Sequence, residues 1–192
     1  MRIVGGTWRN RTFDTPEGRA TRPTTDRMRE SIASMVLAAQ GLDLSDCSVL
    51  DAFAGSGAVG LELLSRGARS CTFCERDRKT SALIRRNCQK MGAGEAVWRV
   101  LCGDVFRLAE RGLWGAPFSV VFLDPPYAMD AREVARLVEA LGETGQLASD
   151  GLVLYERSNR GEELPLTGAR LIRTRKMASS CIDLLRMGEY DE

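Results

Sequence analysis

The sequence predicts an α/β domain in which a mostly parallel, seven-stranded sheet carries helices on both faces and ends in an antiparallel hairpin. Two observations support this fold class. Short apolar runs bounded by turn residues alternate with stretches of helical apolar spacing from residue 47 to residue 155, which is typical of βαβ units. The last two apolar runs are separated only by a short link, which favours an antiparallel pair at one edge of the sheet.

The first 22 residues are predicted to form a small β-hairpin extension, and the main domain is expected to span residues 23–192. Two short β-like pieces, Arg2–Val4 and Arg11–Phe13, flank a turn signal at Gly5 and Gly6. Residues 1–30 hold seven arginines against four acidic residues, and such a basic patch indicates a polyanionic partner. The candidates for nucleic-acid contact here are Trp8, Arg9, Arg11 and Arg22. A tryptophan packed on an exposed hairpin is an equal alternative.

The remaining elements follow in order along the chain. A helix is predicted to begin at Pro23–Asp26 and to end near Gly41, because apolar residues recur between them at helical spacing. Further helical spacing is found within 83–91 and 134–141. The predicted strands are Cys47–Phe53, Ser70–Cys74, Ala96–Cys102, Ser119–Leu123, Gly151–Tyr155, Arg170–Lys176 and Cys181–Met187.

The composition excludes several kinds of chemistry. The chain has no histidine, so the commonest general base, Ser-His and Cys-His nucleophile systems and histidine metal sites are absent, and no metal site is expected. Six scattered cysteines in apolar segments indicate reduced thiols in a reducing compartment. No apolar run approaches the roughly 20 residues of a membrane helix, and the N-terminus lacks the apolar stretch of a signal peptide. We therefore expect a cytoplasmic protein.

A glycine-rich turn is predicted between the first strand and a following helix. Gly55, Gly57 and Gly60 fit the G-x-G-x-x-G pattern, in which the backbone turns tightly and approaches a cofactor closely, with Phe53 in the same loop. Asp51 precedes this turn. At about 4 Å and an effective dielectric near 20, a charge pair is worth about 4 kcal/mol. The carboxylate therefore favours a cationic ligand such as S-adenosylmethionine over the pyrophosphate of a dinucleotide.

Two more acidic residues follow the second and third predicted strands. Glu75 is expected to accept hydrogen bonds from the two hydroxyls of a ribose, a feature that both cofactor classes share. Asp104 is expected to accept from an adenine amino group, with the backbone N–H of Val105 near the ring, although a helix N-cap explains Asp104 equally well. All three acids would lie at the carboxyl edge of the sheet, where open α/β folds bind ligands.

The fourth predicted strand runs directly into Asp124, Pro125, Pro126 and Tyr127. The two prolines fix φ and prevent the strand from continuing, so the chain turns rigidly at the sheet edge. The lone pair of a purine amine is delocalised into the ring, and two fixed acceptors, Asp124 Oδ and the Pro125 carbonyl, would direct it out of the base plane. Tyr127 would stack on the base. Positioning of this kind supplies catalysis without a strong base.

These motifs together resemble the class I S-adenosylmethionine-dependent amino-methyltransferases, which have a Rossmann-like fold. A narrower likeness, running from the start to about Tyr127, is to the bacterial guanine-N2 methyltransferases of small-subunit (16S) ribosomal RNA. The runs that carry it are 2–13, 21–32 and 51–68. At Lys176–Ser180 the chain departs from the glycine expected in that family before the last strand.

The resemblance implies methyl transfer from S-adenosylmethionine to the exocyclic amine of one guanine, with ribosomal RNA in an assembled small subunit as the partner. It also implies that Arg22, Pro23, Thr24 and Asp26 lie near the cofactor or the target base, with Thr24 and Asp26 assigned to the cofactor. We expect a monomer that has no membrane partner. Three alternatives remain open: methylation of adenine N6 in DNA or RNA, a nicotinamide-dependent oxidoreductase, and an inert RNA-binding module.

Overall fold

The computed structural model describes residues 1–16 and 25–188 of the chain. Its seven-stranded sheet has the order β3-β2-β1-β4-β5-β7-β6, in which the first five strands are parallel and β7 pairs antiparallel with both β5 and β6. The strands are β1 Ser48–Asp51, β2 Ser70–Glu75, β3 Trp98–Cys102, β4 Phe118–Leu123, β5 Leu147–Ser158, β6 Ala169–Lys176 and β7 Ser180–Met187. The predicted sheet and its antiparallel C-terminal hairpin are confirmed.

Five helices lie within the described residues. They are α1 Asp26–Ala39, α2 Ala58–Ser65, α3 Arg78–Lys90, α4 Val105–Ala109 and α5 Ala131–Glu143. Side-chain caps explain where several of them begin: Thr25 starts α1, Asp77 starts α3 and Asp130 starts α5, each accepting a backbone N–H of the first turn. No helix in the described ranges is long and apolar enough to cross a membrane.

The sheet divides the core into two layers. Alternate residues of each central strand point to opposite faces, so Val120 and Phe122 pack with α1, α2 and α3, whereas Val121 and Leu123 pack with α5. In α5, Val134, Leu137, Val138 and Leu141 recur at helical spacing and are all buried. The parallel strands are thus covered on both faces, and their carboxyl ends remain open for a site.

The N-terminal segment packs on the α1–α2 face of the same core. Ile3 and Phe13 are almost completely buried, and Arg2 forms a single antiparallel bridge with Thr12, which is less than the two predicted strands. The buried carboxylate of Glu62 in α2 accepts the backbone N–H groups of Val4 and Gly5 at 2.9 and 2.8 Å. The hairpin is therefore held to the main domain by apolar burial and by hydrogen bonds to a charged acceptor. The predicted boundary between residues 22 and 23 lies outside the described residues.

Candidate active site

A cavity of about 990 Å³ opens at the carboxyl edge of the parallel strands. Its lining comes from the segments that follow β1, β2, β3 and β4, from the end of β5 and from the turn between β6 and β7. The first turn of α1 covers it with Thr25, Arg27 and Met28. A cavity of this size accommodates a drug-sized ligand. The sheet topology places it where open α/β folds bind ligands.

The glycine turn joins β1 to α2 in the predicted place. Gly55 and Gly57 have φ values of +53° and +77°, a region that side-chain-bearing residues avoid. The Gly55 N–H donates to Glu75 Oε2 at 2.9 Å, which ties the turn to the end of β2. A Cβ at Gly60 would lie 2.3 Å from the Phe73 ring and 2.6 Å from Cys71 Sγ. Gly60 therefore allows α2 to pack closely on β2.

Asp51 lies behind this turn and is not among the residues that line the cavity. Its carboxyl group is 1% exposed and accepts the Gly60 N–H at 3.0 Å. Burial raises the pKa of Asp51 to about 7, against the lowering effect of that hydrogen bond, and the negative charge of Glu75 raises it further. The structure thus gives Asp51 a bracing role under the loop.

The acids after β2 and β3 line one half of the cavity with Val105, Phe53 and Phe106, which we call the cofactor half. Glu75 also accepts the Asp77 N–H through Oε1 at 2.7 Å, and a carboxylate has lone pairs for further donors. Asp104 Oδ1 accepts the Phe106 N–H at 2.9 Å, so this residue is the N-cap of α4 as well as a lining residue. The N-cap explanation of Asp104 is therefore confirmed, and its contact with an adenine amino group stays a prediction.

The segment from Asp124 to Tyr127 leaves β4 at the rim, and all four residues line the cavity. Pro125 is buried, whereas Tyr127 is 58% exposed and presents its ring at the rim. An exposed aromatic ring beside a polar cavity is suited to stacking on a flat ligand. We call these four residues the proline corner.

The Asp124 carboxyl group is electrostatically perturbed. Burial raises its pKa well above the ordinary range, and the negative charges of Glu156 and Asp51 raise it further. A carboxyl group in this state gains from a cationic or hydrogen-bond-donating ligand. Its environment is typical of functional sites in clefts.

Several lining residues were missed from the sequence. Glu156, near the end of β5, and the turn 176–180 line the cavity beside the proline corner, and we call this part the target half. The cations Arg27, Arg76 and Lys176 are exposed and also line the cavity. No short motif marks these positions. The register of β4 and β5 brings Glu156 level with Asp124, and the pairing of β7 with β5 brings Ser180 to the same end of the sheet.

Other predicted site residues lie elsewhere. Asp26 does not line the cavity, and its carboxylate accepts Arg2 Nε at 3.0 Å and Arg29 Nη2 at 2.8 Å, which lower its pKa. The backbone N–H of Trp8 donates to Ser65 Oγ. Ser65 is the last residue of α2, at the end remote from the glycine turn.

Two of the arginines predicted to contact nucleic acid are described. Arg9 is exposed, and Arg11 donates to the Met91 carbonyl at 2.8 Å. Thr24 and Arg22 lie outside the described residues.

Comparison with known proteins relates the whole chain to methyltransferases. The family model described as "Conserved hypothetical protein 95" matches residues 1–186. Ribosomal RNA small subunit methyltransferase D of Escherichia coli K12 is 38% identical over 157 residues, covering 81% of this chain and 74% of that protein. The solved structure of yhhF from Escherichia coli is 33% identical with a TM-score of 0.81, covering 99% of both chains. A hypothetical protein of Thermus thermophilus is 29% identical with a TM-score of 0.77, covering 96% of this chain and 98% of that chain.

Proposed function

The chain belongs to the conserved hypothetical protein 95 family, and from this membership and the cavity we propose that it methylates the N2 amine of a guanine in 16S ribosomal RNA with S-adenosylmethionine. The observation that carries the proposal is a single cavity with two differently lined halves. Glu75 and Asp104 line the cofactor half, and the proline corner lines the other. The matched E. coli protein is named as a small-subunit ribosomal RNA methyltransferase, and the guanine-N2 assignment comes from the sequence resemblance.

The lining of the cofactor half fits S-adenosylmethionine. Glu75 provides acceptors for ribose hydroxyls, and Asp104 with the Val105 N–H provides an acceptor and a donor for the adenine edge. Phe53 and Phe106 provide apolar walls for a flat ring. Acidic groups outnumber basic ones here, which suits a ligand that carries a sulfonium and an ammonium. We propose that Asp51 supports this half indirectly by holding the Gly60 N–H, and we retain Gly55 and Gly57 as the close-approach positions.

In the target half the proline corner positions the amine. Asp124 and the Pro125 carbonyl accept its two N–H bonds, Pro126 stiffens the turn, and Tyr127 stacks on the base. The bound cofactor supplies a methyl group that its sulfonium already activates. Asp124 would take up the proton that the amine nitrogen loses when it receives the methyl group. The raised pKa of Asp124 makes its carboxylate a better proton acceptor than an ordinary aspartate.

The surroundings of the cavity suit an RNA strand. Arg27 and Lys176 add positive charge to the cavity lining, Lys176 in the target half, and Arg173 and Arg175 are exposed on the neighbouring edge strand β6. Such cations bind phosphates without reading sequence. A base inside a helix must leave the stack to reach the proline corner, as in other enzymes that act on bases. We keep Trp8, Arg9, Arg11 and Arg22 as proposed RNA contacts more distant from the cavity.

Replacing Asp124 tests the proposal. Asp124→Ala is expected to lower labelled methyl transfer to unmodified small ribosomal subunits by at least about 100-fold, since it removes one acceptor and the proton sink. Cofactor affinity, measured by calorimetry, should change less than about threefold. Asp46→Ala, an exposed aspartate before β1 at the opposite edge, is the matched control and should retain activity. Full activity of the Asp124 variant with intact cofactor binding would refute the proposed site.

Adenine N6 is the second candidate target, because the proline corner holds two N–H bonds equally well on either purine. Analysis of the methylated nucleoside separates the two. Methyl groups on adenosine would support the second candidate and exclude the first.

A further inference from the structure

Three polar residues follow one another across the target half of the cavity. In the register of β4 and β5, Leu123 is level with Tyr155, so Asp124 and Glu156 come next on neighbouring parallel strands. Leu123 and Tyr155 both pack in the α5 layer, so the residues after them turn to the α1 face. Ser180 begins β7, which pairs with β5 on its other side, and it is level with Ser158, two residues after Glu156. Asp124, Glu156 and Ser180 all line the cavity.

Glu156 and Ser180 are the most buried of these three residues. Their exposed fractions are 4% and 0%. Among the described residues, no hydrogen-bond partner is found for Ser180 Oγ. A buried hydroxyl costs free energy unless a hydrogen-bonding group meets it. A ligand that presents an acceptor to Ser180 therefore gains affinity from this part of the cavity, and Glu156 places a second carboxylate level with Asp124.

From this row of side chains we infer that Glu156 and Ser180 select guanine by its Watson–Crick edge. Glu156 accepts the N1–H, the Ser180 hydroxyl donates to O6, and the N2 amine is held at the proline corner. The order of the strands, β4, β5 and β7, is the order of N2, N1 and O6 along the base. This inference rests on the proposed function and assigns its base specificity to two residues outside the proline corner.

The same side chains reject adenine. Adenine presents the unprotonated N1 next to its amine, and that acceptor would face the carboxylate of Glu156 without a proton between them. Sites that hydrogen-bond a substrate group reject analogues lacking it much more strongly than apolar pockets do, because buried polar groups are left unpaired. Charge repulsion between Asp124 and Glu156, seen in the raised pKa of Asp124, is relieved when the amine and N1–H donors enter together.

2-Aminopurine tests the inference, because it keeps the N2 amine and lacks both the N1–H and O6. In an RNA fragment of the small subunit, replacing the methylated guanine by 2-aminopurine is expected to lower kcat/KM of the wild type by at least about 100-fold. Glu156→Gln should reduce the ratio of kcat/KM on guanine to kcat/KM on 2-aminopurine by at least about tenfold, because its amide can donate to the unprotonated N1 of 2-aminopurine. Glu110→Gln, an exposed control, should leave it unchanged. Equal use of both bases by the wild type, or an unchanged ratio in Glu156→Gln, overturns the inference.

A second variant and a binding measurement complete the design. Ser180→Ala should lower activity on guanine and leave activity on 2-aminopurine within about twofold, because only guanine has O6. An equal loss on both bases would contradict the role of Ser180.

The binding measurement uses a uridine oligomer that contains one 2-aminopurine, whose fluorescence reports capture of that base. An unlabelled oligomer with one guanine should displace this probe from the wild type more readily than from Glu156→Gln. Equal displacement from the two proteins counts against Glu156. If no guanine RNA accepts a methyl group, the proposed function fails, and displacement still decides the base preference.

Discussion

Asp51 is an acidic residue that the fold buries almost completely. The sequence places it at the end of β1 before the glycine turn, and the structure agrees. Its side chain nevertheless lies beneath the turn, where it accepts the Gly60 N–H. Strand position follows from apolar patterning, whereas the direction of a side chain depends on how α2 packs on the sheet. That packing involves contacts distant in sequence, which local patterns do not contain.

The buried state of Asp51 predicts how stability depends on pH. Its pKa in the folded chain is about 7, above its ordinary value, so the carboxyl group releases its proton later when folded than when unfolded. The folded chain therefore loses stability as the pH rises toward and through 7. Asp51→Asn removes this titration and keeps an oxygen for the Gly60 N–H. Denaturant unfolding at pH 5 and pH 8 should show the variant gaining stability relative to the wild type at the higher pH.

An exposed aspartate provides the control for this comparison. The pKa of Asp43 is lowered by the hydrogen bonds from Ser45, so Asp43 titrates below pH 5. The stability difference between Asp43→Asn and the wild type should be the same at pH 5 and pH 8. A constant difference for Asp51→Asn as well would show that its carboxyl group is not buried as described.

At the scale of elements, α2 and α5 each contain a glycine, and the two glycines differ in the free space around them. In α2, a Cβ at Gly60 would lie within 2.6 Å of Phe73 and Cys71 on β2, whereas at Gly142 in α5 it would meet no atom within 4 Å. Gly60→Ala is expected to lower the free energy of unfolding by about 1–3 kcal/mol through overpacking. Gly142→Ala should raise it by up to about 1 kcal/mol, since alanine is the better helix former.

Urea titrations of the two glycine variants check this contrast. Their opposite signs separate helix propensity from packing, because both substitutions add the same methyl group to a helix. A stable Gly60→Ala variant would mean that α2 does not pack on β2 at the distance described.

Elements with a strong local pattern were predicted well, and those held by distant contacts were not. The helix predicted after Pro23 begins at Asp26, with Thr25 as its cap, and ends at Ala39. The short helix α4 was indicated only by the possible N-cap at Asp104, because five residues are too few for a periodic pattern. Strand β5 is longer than predicted, since pairing with β4 and β7 extends it from Leu147 to Ser158 through polar residues. The first and last residues of β5 are set by hydrogen-bonded pairing of its backbone, which the apolar runs of the sequence do not show.

At the scale of the whole molecule, the sheet order assembles the cavity from segments that are separate in the chain. Motif residues at the ends of β1, β2, β3 and β4 could be predicted, because each directly follows an apolar strand. Glu156 and the turn 176–180 could not, since β7 enters the sheet between β5 and β6 and carries that turn to the target half. The residues that we propose to select the base were therefore those with the weakest signal in the sequence.

The same arrangement suggests how far an RNA substrate extends over the protein. The glycine turn lies at the first residue of α2, whereas the hairpin with Trp8 contacts its last residue, Ser65. Eight helical residues at 1.5 Å each separate these ends by about 12 Å. RNA that contacts the hairpin as well as the target half would thus extend well beyond the captured base, which agrees with a large structured substrate.

We propose that this cavity transfers a methyl group to the N2 amine of a guanine in small-subunit RNA. The direct measurement is to incubate the protein with labelled S-adenosylmethionine and unmodified small ribosomal subunits, digest the RNA to nucleosides and identify the labelled product. We expect label in N2-methylguanosine at one position of 16S RNA, and its loss with Asp124→Ala. Label in N6-methyladenosine, or no label in RNA from a protein that binds the cofactor, would contradict it.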